Sequence, residues 1–109
     1  MTSKVVAGAK EALQGLVSGM TIMSGGFGLC GNAEHCIAAI AASDLCDLTI
    51  ISNNCGNQGR GLAVLLKNRQ IKKAICSYGG GNPDLERLMM AGKIQVELTP
   101  QGTFAERIR

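Results

Sequence analysis

Aromatic side chains are nearly missing from this chain, which has no tryptophan, one tyrosine and two phenylalanines among its 109 residues. A surface that reads nucleic acid by stacking bases on rings has nothing to build with, so no nucleic-acid partner is expected. Long apolar runs are missing too. The longest uncharged apolar stretch covers residues 36–42, far short of the roughly 20 residues that cross a bilayer. The opening segment MTSKVVAGAKEALQG carries charges throughout and has no apolar core of the kind a secretion signal needs. The expectation is a soluble, unexported, cytoplasmic protein with no membrane partner. No two cysteines form a C-x-x-C pair. The odd set Cys30, Cys36, Cys46, Cys55 and Cys76 suits reduced thiols in a cytoplasm better than a disulfide framework or a zinc site. His35, the single histidine, stands between Cys30 and Cys36 without a complete ligand set, and no metal is expected.

What the chain does have is apolar content and glycine. Hydrophobic residues make up 46% and the mean hydropathy is +0.17, which argues for a packed protein, while 15 glycines mark many turns and close backbone approaches. The length supports one small domain over residues 1–109 but is short for a complete open α/β sheet covered on both faces. A partner covering unfinished surface follows from that, and so does self-association through an unpaired edge or an exposed apolar face. Charge is uneven: residues 1–66 hold three basic and four acidic groups, and residues 67–109 hold eight and four. Lys67, Arg69, Lys72 and Lys73 form the densest basic run, read here as a solvated face.

Apolar residues at helical spacing predict a helix over residues 4–17 that stops near Gly19. A short strand follows at 20–24, then a glycine loop, then an Ala-rich helix over 33–43 with Asn32 as its N-cap. The β-branched run at 48–52 reads as a strand buried on both faces. Glycines 56, 59 and 61 punctuate a loop before a helix at 62–68. A third strand at 73–77 leads into GGGNPD, where Asn82 caps and Pro83 opens a helix to Met90 that Gly92 closes. Met89 and Met90 are expected in the core or an interface. The fourth strand spans 94–98, and TPQGTFAERIR begins another loop and a helix that breaks off almost at once. Strands alternating with helices predict an α/β fold, an open, mostly parallel, Rossmann-like sheet with flanking helices and no internal repeat. Ligands of such sheets gather at the carboxyl ends of the strands. The loops expected there are 25–32, 52–59 and 77–82, with 99–103 as a fourth if the sheet is fully parallel.

The first of these loops, SGGFGLCGN, fits G-x-G-x-x-G from Gly26 through Gly28 to Gly31. A dinucleotide-binding loop of that pattern needs an acidic residue roughly 20 positions later, at the end of the second strand. Ser52, Asn53 and Asn54 stand there instead, whereas Asp44 and Asp47 precede the strand at its wrong end. The NAD reading is thereby disfavoured. A more general capacity survives: the N–H groups of a glycine loop and of a helix start can hold an anion or a developing oxyanion. Cys30 lies inside the loop, where its side chain suits a small buried hydrophobe.

The segments GGFGLCG, SNN with a glycine two residues on, RQIKKAICSY and above all VELTPQGTFAERIR together resemble the A subunit of the family I coenzyme A transferases, in the succinyl-CoA:3-oxoacid and acetoacetate branch. The resemblance runs over essentially the whole chain in one register. The sequence departs from the family pattern with Ser18 before Gly19 in place of an Asp, Ala33 in place of a proline, and His35 and Cys55 in place of a polar residue and an alanine. It stops at Arg109, roughly halfway through a family A subunit, so the fold is expected to be truncated relative to the family.

The resemblance implies a ping-pong transfer. A glutamate supplied by the B subunit first attacks an acyl-CoA thioester, forms an acyl-glutamyl anhydride, and then takes CoA as a glutamyl-CoA thioester that a carboxylic acid collects. Glu11, Glu34, Glu86, Glu97 and Glu106 lie in no context like that nucleophile, so the chain is assigned no catalytic nucleophile and needs a B subunit. The resemblance places Gly25, Gly26, Phe27, Gly28, Leu29, Cys30 and Gly31 at the coenzyme A site. It puts Asn53, Asn54 and Gln101 near the acyl or carboxylate group, where uncharged amides hold an anion without protonating it. The alternative role of the two asparagines is loop capping. Coenzyme A and acyl-CoA enter as substrates, a small carboxylic acid as acceptor, with no permanently bound cofactor. A non-catalytic module that binds CoA or helps the subunits assemble is the second reading.

Overall fold

The β-branched run expected to form a buried strand sits at the centre of the molecule. The computed structural model describes residues 5–80 and 82–109. Lys4, the expected start of the first helix, and Gly81 of the third loop lie outside the described residues. The elements in chain order are α1 (Ala9–Ala12), β1 (Thr21–Met23), α2 (Glu34–Ala41), β2 (Leu48–Ile51), α3 (Ala63–Lys67), β3 (Ile71–Cys76), α4 (Pro83–Met90), β4 (Gln95–Leu98) and α5 (Gln101–Ile108). All strand pairs are parallel and the strands lie side by side in chain order, β1-β2-β3-β4. This is the α/β architecture with flanking helices that the alternating pattern predicts.

In-register rows fix which residues share a face. Ile22, Ile50, Ala74 and Val96 form one row, and this face carries the core. Leu48, Ile50 and Ala74 are buried against Ile37 and Ile40 of α2, Leu65 and Leu66 of α3 and Leu85 of α4. The next row, Met23, Ile51, Ile75 and Glu97, points to the opposite face. Only α5 reaches that side among the described residues: Phe104 is buried there, at a cleft of about 110 Å³ shared with Met23, Ile51 and Ile75. The Met23 end of the row is left open, with Met23 itself 60% exposed. One face is thus fully packed and the other half covered.

Several boundaries differ from the sequence expectation, each for a local reason. The first helix is α-helical only over Ala9–Ala12, because Leu13 already departs from helical geometry and Gly15 takes a left-handed φ of 95°. Asn32 does not cap α2. Ala33 occupies that position without a side-chain bond, and Asn32 Nδ2 donates backwards to the Gly28 carbonyl at 3.1 Å. The third strand starts at Ile71, ahead of the expected Lys73, because Ile71 pairs with Leu48 before a register shift. Buried Gln70 anchors this entry by donating to the carbonyls of Ile40 at 2.7 Å and Leu45 at 3.0 Å. The loop expected over 99–103 is shorter still, since Pro100 caps α5 and Gln101 is its first helical residue. Met89 and Met90 are exposed at 47% and 88%, which removes them from the core. Asn82 and Pro83 open α4 as their chemistry dictates: Asn82 Oδ1 accepts from Asp84 N at 3.1 Å and Leu85 N at 3.3 Å.

Candidate active site at the strand ends

The parallel sheet brings the ends of β2, β3 and β4 to one edge, where three polar side chains meet. Asn53 follows β2, Ser77 follows β3, and Gln101 begins α5 just after β4. Their spacing is held by the sheet ladder continuing past the strands: Ser77 N and Tyr78 N donate to the Asn53 carbonyl, and Thr99 N donates to the Cys76 carbonyl. Asn53 Nδ2 donates to Ser77 Oγ at 2.9 Å and to Gln101 Oε1 at 3.0 Å, and Ser77 Oγ donates to Gln101 Oε1 at 2.6 Å. The cluster carries no charge and opens to solvent at Gln101. Such a group can orient a carboxylate or steady an oxyanion without exchanging a proton with it.

Asn54 does something else. Its Oδ1 accepts from Gly56 N at 3.4 Å, which is the loop-capping role that the sequence left open for it. The structure therefore joins Asn53 to Gln101 and turns the Asn54 side-chain carbonyl into its own loop. Ser77 is the member that sequence reasoning missed as a site residue. The motif RQIKKAICSY contains it, but a serine at a strand end has no signal of its own without its partners.

Gly25 to Gly31 form a separate feature at the end of β1. Phe27 and Cys30 bond each other through both backbone groups, Phe27 N to Cys30 O at 2.8 Å and Cys30 N to Phe27 O at 2.9 Å, closing a turn over Gly28 and Leu29. Gly26 and Gly28 take φ values of 126° and 60°. A Cβ on Gly26 would run into the Asn32 side chain, whereas one on Gly25 would enter open space at an ordinary φ. Gly25 is thus the loop glycine that the backbone itself does not require. Phe27 is 75% exposed and Cys30 is exposed as well, so Cys30 is not the buried hydrophobe expected of it. Phe27 and Cys30 spend their N–H groups within the turn.

Thirty positions on, Gly56 to Gly61 repeat this device. Asn57 and Arg60 bridge each other as Phe27 and Cys30 do, with Arg60 N donating to Asn57 O at 3.0 Å. The two turns lean together, Gly61 lying against Leu29. Both border an apolar groove of about 730 Å³ between α2 and α3, lined by Leu29, Ile37, Ala38, Arg60 and Val64 among others. None of Asn53, Ser77 and Gln101 lines that groove. Beneath the polar cluster, Cys55 and Cys76 are buried, and their mutual hydrogen bond together with burial pushes the Cys55 thiol far above the ordinary value. Cys55 therefore stays a neutral thiol. Among the described residues no group of His, Cys, Asp and Glu could hold a metal ion, and no helix is long and apolar enough to cross a membrane.

Comparison with known proteins places the chain in a family. Residues 6–109 match the family model described as coenzyme A transferase. The chain is 51% identical over 106 residues to the A subunit of the probable succinyl-CoA:3-ketoacid coenzyme A transferase of Bacillus subtilis, covering 97% of this chain and 44% of that protein. The corresponding A subunit from Helicobacter pylori is 50% identical over 107 residues, with 98% and 46% covered. The rat mitochondrial succinyl-CoA:3-ketoacid coenzyme A transferase 2A is 48% identical over 99 residues, with 91% and 19% covered. A crystal structure of an acyl-CoA transferase from Escherichia coli O157:H7, a thioester complex with CoA, superposes with a TM-score of 0.71 at 27% identity over 88% of this chain and 20% of that one. The chain spans less than half the length of the bacterial relatives it matches. With a family model matched over residues 6–109 and bacterial A subunits about half identical across nearly its whole length, the chain belongs to the coenzyme A transferases.

Proposed function

We propose that this chain serves a transferase that moves CoA between an acyl-CoA, such as succinyl-CoA or acetyl-CoA, and a 3-oxo acid such as acetoacetate. The uncharged cluster of Asn53, Ser77 and Gln101 at the carboxyl ends of parallel strands is the observation that carries this reading. Each half of the reaction makes a tetrahedral oxyanion, and a well-aimed donor to such a charge is worth about 3–4 kcal/mol. Gln101 supplies the donor amide, Asn53 holds it from within the cluster, and Asn54 stands beside them with its oxygen held in the loop. The Gly25 to Gly31 turn lies against the CoA moiety, with Gly25 leaving room for close approach. The nucleophilic glutamate comes from a B subunit, in keeping with relatives that are themselves named as A subunits. The chain works in an oligomer with that partner, and its free thiols suit the cytoplasm.

The test is reconstitution. The chain is combined with the B subunit that partners the Bacillus subtilis relative, and CoA transfer from succinyl-CoA to acetoacetate is followed by the absorbance of acetoacetyl-CoA. Transfer is expected from the mixture and from neither chain alone. Turnover by this chain alone would show that the nucleophile has been assigned to the wrong partner. CoA binding without transfer in the mixture would leave a binding or assembly module.

A further inference from the structure

The hydrogen bonds of the strand-end cluster fix which way its amides face, and this gives Ser77 a task. Asn53 Nδ2 has two protons, and both are spent, one on Ser77 Oγ at 2.9 Å and one on Gln101 Oε1 at 3.0 Å. Ser77 Oγ has one proton. Its short contact is Gln101 Oε1 at 2.6 Å, against 3.2 Å to the Asn53 carbonyl. Gln101 Oε1 is then saturated with two donors. What remains unspent is the Gln101 amide nitrogen with both its protons, on an exposed side chain at the first turn of α5. Asn53 keeps only its carbonyl oxygen, which repels an anion.

We infer that Ser77 is a positioning residue: by donating to Gln101 Oε1 while accepting from Asn53, it turns the Gln101 amide nitrogen outward as the donor that receives a substrate carboxylate or oxyanion. This deepens the transferase reading and rests on it for the identity of the anion. The three members of the cluster are therefore not equivalent. Gln101 is the group that touches the anion, and Asn53 and Ser77 hold its far end. Without the hydroxyl, Gln101 Oε1 keeps one donor and the side chain is free to rotate about its terminal bond. A threonine at 77 keeps the hydroxyl.

The test uses side-chain amide resonances of the ¹⁵N-labelled full chain, with succinate as the probe. In the wild type the Gln101 NH₂ pair is expected well away from the position of a free glutamine, and succinate should move it while leaving the Asn53 pair in place. Ser77→Ala should bring the Gln101 pair toward the free-glutamine position and weaken succinate binding about fivefold, the loss of one hydrogen bond's worth. Ser77→Thr should restore both. Backbone resonances outside residues 52–54, 76–78 and 99–103 should stay unchanged in Ser77→Ala, which separates loss of positioning from unfolding. Unchanged Gln101 signals in Ser77→Ala would overturn the role of Ser77, and a succinate response at the Asn53 pair instead would overturn the polarity assigned to the cluster. A Gln101 pair that is fixed by Ser77 but indifferent to succinate would uphold the positioning and overturn the carboxylate reading.

Discussion

Two loops of the same length, 26–31 after β1 and 56–61 after β2, are framed alike and held differently. Both begin and end in a glycine of positive φ, 126° and 76° in the first and 74° and 62° in the second, and both close on an internal backbone bridge. Inside the frame the left-handed residue comes first in one, at Gly28, and second in the other, at Gly59. That difference separates type II′ from type II turns, which are mirror images. The anchoring also differs. The second loop is tied from outside: Gly59 N donates to Asp84 Oδ2 at 2.9 Å, and Asn82 Nδ2 donates to the carbonyls of Cys55 and Gly56 at 3.1 and 3.3 Å. The first loop leans on its own chain through Asn32. One loop is therefore tied into the tertiary structure, and the other is a turn held mainly by its own chain.

Substitutions can break each side of this contrast. The largest effect is expected from Gly56→Ala, whose Cβ would press on the Arg60 carbonyl and lie 3.1 Å from Leu62 N at a φ of 74°. Neither backbone group can swing aside, and urea denaturation should show a loss of about 3 kcal/mol. Asn82→Ala removes a helix cap and two of the three ties to the second loop, for a loss of about 2 kcal/mol. Hydrogen exchange should then quicken at the second loop and the start of α4 while the first loop is unaffected. Gly26→Ala meets the Asn32 side chain, which can move, so about 1–2 kcal/mol is expected, arising from the strained φ and the broken Asn32 tie. Gly25→Ala should leave stability within about 0.5 kcal/mol yet weaken CoA binding in a calorimetric titration. Equal destabilisation by Gly25→Ala and Gly56→Ala would remove the distinction between a loop held by its own chain and one tied from outside.

The contrast also marks how far the sequence can be read. Asn82 with Pro83, the strand at Leu48–Ile51 and the first glycine turn are legible because their chemistry is local: a cap reaches two or three residues, and a β-branched run needs no partner to be noticed. Asn32 is misread by the same rule. Its amide has two local carbonyl and N–H choices, and the closing of the glycine turn supplies the stronger one at Gly28. Gly15 cuts short a helix whose apolar spacing runs straight through it, since periodicity does not register a left-handed residue. The second glycine turn reads only as punctuation, because its frame shares glycines with the first but no other residue type. Gln70 and Ser77 are invisible for a different reason: the carbonyls that Gln70 Nε2 binds and the side chains that Ser77 meets lie 24 to 30 residues away, and only the sheet brings them within reach. Of the candidate site, the amide types and their strand ends are legible, while the bond that orders them is not.

The strand order has a consequence for how the molecule comes to exist. Because β1, β2, β3 and β4 lie in the sheet in the order of the chain, every strand pairs with the one made just before it. No strand has to wait for a distant segment or be inserted between two others. Contacts of short sequence separation close early and cheaply, and a chain emerging from its amino end can lay down each β-α unit against the last. The polar cluster is the exception. Asn53 waits for Ser77, and both wait for Gln101, so this edge is completed only after all four described strands beneath it have been laid down.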